Sequence, residues 1–539
     1  MINLEYLHNL DAAKPFIDRN YFVTKKLGFR VIENGMILPH KSTPHWFGLG
    51  GIVDADGKYI PDSSVHYRTS GAYTPPQDQI QYSDETVIYF FMLFPVWGHC
   101  ITDNIRRIWF LKSDIFKSEF KDCRLVYISW HTHNLETQKD FRRLLEILEV
   151  DVDKFQLITQ PTKFKKIILP DDCFGSPHNT FTGFTNEYRE MIYSVRDFAL
   201  KNRTPTPYKK IYFFHGKKGQ FGEERLAEYF KSKGYEIIRP ETLTLDEELN
   251  LLINCDSFAS CYGSTVHNSL FLRDNTEVIV IPRIASLLNA PYQEMVNQVR
   301  SLNVTYIDST LSIFGRWSAT GPWFFIVSEQ LKRFFGDKFD GYDEEDQRTF
   351  LQYVKSCLSR NADILAWVRD RYKLFLADFL EQLHKREELI KEYDMPQDWE
   401  KKLCPLLTYQ THVHRRGWND GWKTEKEFSN PLDQMLDVLA IKINSPDYKV
   451  YYAVYFSEEE GWSQEATSPE MAGTVGVRKP IYGMKIRLDE AGIEKFDILY
   501  RIHKFDGEWT AWAKNGEEII TQGVKLNSIQ VKLEAKAKV

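Results

Sequence analysis

No apolar run in this sequence approaches the ~20 residues that a bilayer-crossing helix needs. The most apolar stretch, VIYFFMLFPVW from Val87 to Trp97, has the length and composition of a buried strand. The first twenty residues show neither the basic start nor the apolar centre of a secretory leader. Cysteine is scarce as well. Cys100, Cys123, Cys173, Cys255, Cys261, Cys357 and Cys404 form no CxxC pair, and an odd number leaves at least one unpaired. These absences point to a protein of the reducing cytoplasm, with any membrane contact peripheral and at the inner face.

An excess of charge is missing too. A formal net charge of -6 over 539 residues is too slight for a surface built to neutralise a nucleic-acid backbone, so no nucleic-acid partner is expected. No G-x-G-x-x-G precedes Gly263, which argues against a dinucleotide cofactor. Asp54 and Asp56 make a D-x-D, but Gly57 follows between alternating strands, and that is a hairpin turn signal. Two histidines at i, i+2 in WHTHN do not make a metal ligand set, and no metal site is expected.

What is present is a regular alternation. From Lys209, KKIYFFH reads as a strand, EERLAEYFKSKG as an amphipathic helix closed by glycine, and YEIIRP as a strand. TLDEELNLLINC follows as a helix with a threonine or aspartate start, then SFASCY as a strand, STVHNSLFLRD as a helix and EVIVIP as a strand. This spacing specifies a doubly wound parallel sheet, whose ligands sit beyond the carboxyl ends of its strands. A second α/β unit precedes it, with strands at ETVIYFFMLF, CRLVYISW and FKKIILP and helices at CITDNIRRIWFLKS and LETQKDFRRLLEILEV. A chain this long exceeds one core. The expected order is an α/β domain with β-hairpin additions over 1–204, a Rossmann-like domain over 205–327, a helical segment over 328–435 and a small all-β module over 444–539. The last contains an internal repeat that aligns Trp462 with Trp509 and Gly476 with Gly523.

Two segments concentrate chemistry. ASCYGSTVHNSLFL, from Ala259 to Leu272, puts Gly263, Ser264 and Thr265 between a strand and a helix, where N–H donors, the helix dipole and hydroxyls bind phosphate. A plain N-cap would use the same residues. His267 and Asn268 side by side favour a site, because a helix interior gains nothing from either. HGKKG follows the first strand of the same sheet, so His215, Lys217 and Lys218 lie on the same edge, although a solvated lysine pair is the commoner origin of such a loop. In the first unit, GHCITDNIRR sets His99, Asp103 and Arg106 or Arg107 on one helical face, an imidazole and a carboxylate one turn apart being suited to acid/base work. The bland alternative is a capping aspartate and a core histidine. His131, in WHTHN, follows another strand of that unit and could line the same cleft.

Taken together, GHCITDNIRRIWFL and the run from KKIYFFHGKKG to EVIVIPR make the stretch from Glu85 to Arg283 resemble glycosyltransferase family 61, its bacterial members above all. The resemblance implies a GT-B-like fold of two Rossmann-like halves facing a cleft, and an inverting mechanism with no obligatory metal or cofactor. It also implies a nucleotide-sugar co-substrate, UDP-linked, in the second half and a glycan or glycoconjugate hydroxyl as acceptor on the first. The family's H-x-x-x-D helix falls on His99 and Asp103, with Asp103 as base or, failing that, His99; its G-x-x-x-x-N helix start falls on Gly263 and Asn268. The implied donor-binding set is Gly263, Ser264, Thr265, His267, Asn268, His215, Lys217, Lys218 and Glu248, with Arg106 and His131 on the acceptor side. His215, Lys217 and Lys218 stand where many members carry arginine, and lysine lacks the bidentate fork. Glu248 stands where many carry glutamine, which would repel phosphate but suit a ribose hydroxyl. The tail repeats resemble the clostridial hydrophobic-with-Trp (ChW) repeats and suggest a glycan- or protein-binding accessory. The implied role is sugar transfer in bacterial surface or capsular polysaccharide synthesis or protein glycosylation. Its rivals are a non-catalytic glycan-binding scaffold and a nucleotide-sugar epimerase.

Overall fold

The computed structural model describes residues 2–7, 17–43, 48–63, 71–131, 133–175, 182–216, 220–283, 290–300, 302–311, 321–359, 379–395, 407–414, 417–418, 423–424, 428–430, 432, 437–445, 448–475, 477 and 479–536. Among these residues the α/β region is framed by ten strands: β1 (Ile2–Tyr6), β2 (Gln81–Leu93), β3 (Arg124–Ser129), β4 (Phe155–Leu157), β5 (Thr162–Pro170), β6 (Lys210–Phe213), β7 (Glu236–Ile238), β8 (Ser257–Cys261), β9 (Glu277–Ile281) and β10 (Asn303–Ile307). The first sheet runs β5-β2-β3-β4 in parallel, and Phe29–Glu33 and Met36–Lys41 add to β5 antiparallel, followed outward by Leu49–Val53 and Tyr59–Ile60. The second is parallel throughout, in the order β1-β10-β9-β8-β6-β7.

Both orders follow from crossover connections, and both reverse once. The reversal lies between β6 and β8 in the second sheet and between β2 and β5 in the first. Neighbouring connections leave in opposite directions there and open a crevice at the strands' carboxyl ends. The expected β-hairpins over the first eighty residues do join the first sheet, but β1 crosses to the second. A five-residue strand carries no local mark of which sheet edge it will extend.

Side chains alternate between faces as the pleat requires. Ile88 and Phe90 enter one core while Val87 and Tyr89 enter the core on the opposite face. In the second sheet Ile211, Phe213, Val278 and Val280 enter that same first core, whereas Tyr212, Ile279 and Ile281 face the other way. The shared core is completed by helices α1 (Lys139–Ile147), α2 (Asn186–Lys201), α4 (Leu245–Asn254) and α5 (Ala290–Val299), and the far core by α3 (Glu223–Ser232) and α6 (Glu344–Ser359). One continuous apolar core therefore joins the two sheets. Helix α4 starts on a capping box, in which Thr244 accepts from the Glu247 N–H and the Glu247 carboxylate accepts from the Thr244 N–H. No helix among the described residues is long and apolar enough to cross a membrane.

The C-terminal region holds three copies of one unit where the sequence reveals two. Strands begin at Thr408, inside the segment expected to be helical over 328–435 and ahead of the expected module start at 444. Each copy pairs a long strand with a tryptophan turn: His412 opposite Trp418, Tyr455 opposite Trp462 and His503 opposite Trp509. Each tryptophan ring lies under a cation, Lys442 at 4.6 Å, Lys485 at 4.4 Å and Arg501 at 4.3 Å from the ring centroid. The copies link in a ring. Ala440–Lys442 pairs with Met471–Gly473, Gly483–Met484 pairs with Ile519–Ile520, and Ser429 N–H donates to Ile529 C=O at 3.0 Å to join the last copy to the first. Their apolar faces share one core. Gly476, used in the sequence alignment of the repeats, lies outside the described residues.

A ring closed by three pairings cannot lose one member without exposing two sheet edges. A fragment of residues 400–539 should therefore melt cooperatively by circular dichroism, whereas 444–539 should not. Equal melting of the two fragments would show that the first copy is dispensable.

Candidate functional site

The first cluster grows from the carboxyl end of β2. Trp97–Cys100 form a single α-helical turn, residues 101–107 continue as turns, and Ile108–Lys112 as a 3-10 helix, where the sequence predicts one continuous helix. The His99–Asp103 spacing survives because the chain stays coiled, with the Asn104 N–H donating to His99 C=O at 2.9 Å. His99 Nδ1 and Asp103 Oδ2 stand 2.5 Å apart. Asp103 is completely buried and the His99 side chain is 20% exposed, so only the imidazole of the pair can meet a substrate. Its ring packs edge-on against Phe94, centroids 4.8 Å apart, and Phe94 against Trp130 at 4.8 Å. His131 follows Trp130 in a left-handed backbone conformation, exposed, with Nδ1 3.1 Å from Ser42 Oγ.

Arg106 turns away from this cluster, contrary to an acceptor-side role. It is 1% exposed and its Nε lies 2.9 Å from Asp172 Oδ1, with Arg107 Nη2 2.8 Å from the same oxygen. Arg107 also donates to Phe90 C=O at 3.0 Å and Pro170 C=O at 2.9 Å. The two arginines clamp the reversal point between β2 and β5. Once the helix is broken after Cys100, the arginines no longer share the face of His99.

The second cluster grows from the carboxyl ends of β6 and β8. Residues 262–265 are turn, and Val266–Phe271 is a six-residue 3-10 helix with every residue buried, in place of the helix expected over STVHNSLFLRD. So short a helix adds little dipole. Thr265 Oγ1 is engaged internally, accepting from Ser260 Oγ at 3.0 Å. Ser264 is partly exposed. His267 Nδ1 stands 2.8 Å from Gln293 Oε1, and burial pushes its pKa down to about 4, so the imidazole is neutral at neutral pH and its Nδ1 donates to the amide oxygen. Gln293, on α5, in turn donates to Ser269 Oγ at 3.2 Å and Asn297 Oδ1 at 2.8 Å. Asp54, the candidate D-x-D residue, accepts from the Asp56 and Lys58 N–H groups at 3.1 and 2.9 Å, as a turn residue does.

The two clusters meet. Trp97 Nε1 donates to Asn268 Oδ1 at 2.6 Å. A Cβ on Gly98 would stand 3.0 Å from Ser264 Oγ and 3.1 Å from His267 Cδ2, so any larger residue there would press the two turns apart by a few tenths of an ångström or shift those side chains. His99, Ser264, His267 and Asn268 thus occupy one locality built from both sheets. His215 lies on the same edge, and its N–H and that of Gly216 donate to the Glu223 carboxylate at 3.0 and 3.1 Å. Lys217 and Lys218 lie outside the described residues. Trp97, Glu223, Arg283 and Gln293 escape a reading of the sequence. An indole before the GHC segment looks like core, and an amide on a later helix carries no motif.

Glu248 does not join this locality through any described contact. It sits buried on α4, where the charge that acts on it is Asp140 of α1, and burial raises its pKa to about 8. The folded state therefore holds the carboxyl protonated. Unfolded, it ionises above about 4.3, so stability supplied by the neutral form is complete below that pH and falls as pH rises toward 8. Glu248→Gln should raise the melting temperature at pH 8 and do so progressively less down to pH 5. A pH-independent difference would show that Glu248 is not the group involved.

No curated protein matches the chain. Residues 97–279, about a third of the chain, match the family described as Glycosyltransferase 61. The matched stretch opens on Trp97 and contains His99, Asp103, His215 and the Gly263–Asn268 turn, so the region that builds this site is similar to glycosyltransferases of family 61.

Proposed function

We propose that the chain is an inverting glycosyltransferase that moves a sugar from a UDP-linked donor to a hydroxyl of a glycan or glycoconjugate acceptor, in bacterial surface polysaccharide synthesis or protein glycosylation. The observation that carries this reading is the juxtaposition of the His99–Asp103 pair, at the carboxyl end of β2, with Ser264, His267 and Asn268, beyond the carboxyl end of β8. Two reversal points facing one locality also support the GT-B-like description, with acceptor on the β2 side and donor on the β8 side.

His99 is the base and Asp103 its orienting partner. The acceptor hydroxyl attacks the anomeric carbon as the bond from that carbon to the diphosphate oxygen breaks, and the hydroxyl proton passes to the imidazole. The buried Asp103 carboxylate fixes the ring and stabilises the imidazolium that forms. The Ser264 hydroxyl and the backbone N–H groups of Gly263 to Thr265 face the charge that grows on the departing diphosphate. The acceptor rests against the Phe94, Trp130 and His131 wall. No step in this sequence calls for a metal.

With labelled nucleotide sugars as donors, His99→Ala should lower turnover by roughly 10²–10⁴. Asp103→Asn should also slow it, because the amide keeps the shape but not the charge that sustains the imidazolium, while leaving nucleotide affinity unchanged. Near wild-type turnover in His99→Ala would overturn the assignment, and isomerised donor without transfer would point to an epimerase.

A further inference from the structure

Arg283, two residues beyond β9, is a buried cation for which the described residues supply no counter-ion. It is 7% exposed, and its Nε and Nη2 are buried without a hydrogen-bond partner among the described residues. No carboxylate among those residues stands within ion-pair distance of it. The acid whose charge it feels, Glu223, already accepts from the His215 and Gly216 N–H groups. The guanidinium is held between the Trp323 ring, 4.3 Å from Cζ to the centroid, and Gly263, where a Cβ would stand 2.6 Å from Cζ and 2.7 Å from each Nη. Ser264, next in the chain to Gly263, lies against Gly98, so the cation borders the proposed transfer site.

Burying a guanidinium without an acid is costly, and such a cation is retained where an anion arrives to complete it. Its fork of N–H donors fits two oxygens of one phosphate. We propose that Arg283 anchors a diphosphate beside Gly263, which on the glycosyltransferase reading is the diphosphate of the nucleotide donor. Gly263 then has a specific role, since with φ of 143° and no side chain it lets the guanidinium reach the strand edge where the diphosphate lies. The same glycine that looks like a helix cap or phosphate loop in the sequence makes room for the arginine.

The test is calorimetric titration of the full chain with UDP, GDP and inorganic pyrophosphate, alongside thermal melts without ligand. Arg283→Met should weaken UDP and pyrophosphate binding at least thirtyfold. Its ligand-free melting temperature should not fall, because methionine refills the space and removes an uncompensated charge. Should that variant fail to fold, Arg283→Lys carries the test, with folding kept and affinity reduced at least fivefold by loss of the fork. Unchanged affinity in the folded variants overturns the proposal and leaves the glycosyltransferase reading intact. Pyrophosphate binding that depends on Arg283, in a wild type that binds neither nucleotide, supports the anion site and overturns the nucleotide donor. A wild type that binds none of the three overturns the anion site itself.

Discussion

The closeness of two turns, Trp97–His99 and Ser264–Asn268, governs the rest of the structure. Gly98 lies against Ser264 and His267, and the Trp97 indole donates to Asn268. That contact fixes how the carboxyl end of one parallel sheet meets that of the other. The continuous core below them, fed by both sheets and four helices, supports that approach. A cleft between freely hinged halves would leave the geometry of base and leaving group to chance. Here the distance is set by packing, and a chemical site gains from groups held on such elements.

Around this contact, buried charges divide into those that the fold satisfies and those it does not. Arg106 and Arg107 share Asp172, and Arg107 binds the backbone on both sides of a strand-order reversal, so they stabilise the platform from which His99 projects. Glu248 escapes its burial by staying protonated. Arg283 does neither within the described residues, and on the proposal above its counter-charge is the diphosphate.

Much of the α/β framework is legible from periodicity, because β2, β6, β8 and β9 are apolar runs of strand length separated by helices with caps and closing glycines. His99 with Asp103 is legible by spacing, and Gly263 by its position after a strand. The type of helix is not. Both site segments tighten into short turns and 3-10 pieces because their residues are nearly all buried, a tertiary circumstance that local propensity does not encode. Arg106 leaves the face of His99 for that reason. Arg283 and Gln293 are joined to the site only by folding, and β1 only by long-range pairing. The first tail repeat is hidden from sequence because the stretch between its tryptophan turn and its returning strand diverges, with no glycine at the place that Gly476 and Gly523 hold after the other two tryptophans, although His412, Trp418 and Lys442 repeat the geometry of Tyr455, Trp462 and Lys485.

The central claim is that the two turns form one site, and a double-mutant cycle on Trp97→Phe and Asn268→Ala, read as kcat/KM for sugar transfer, tests it most directly. The account predicts non-additive effects, with a coupling of about 0.5–3 kcal/mol as for residues in direct contact. Effects that add within about 0.3 kcal/mol would contradict it, since independent turns cannot share one reaction centre.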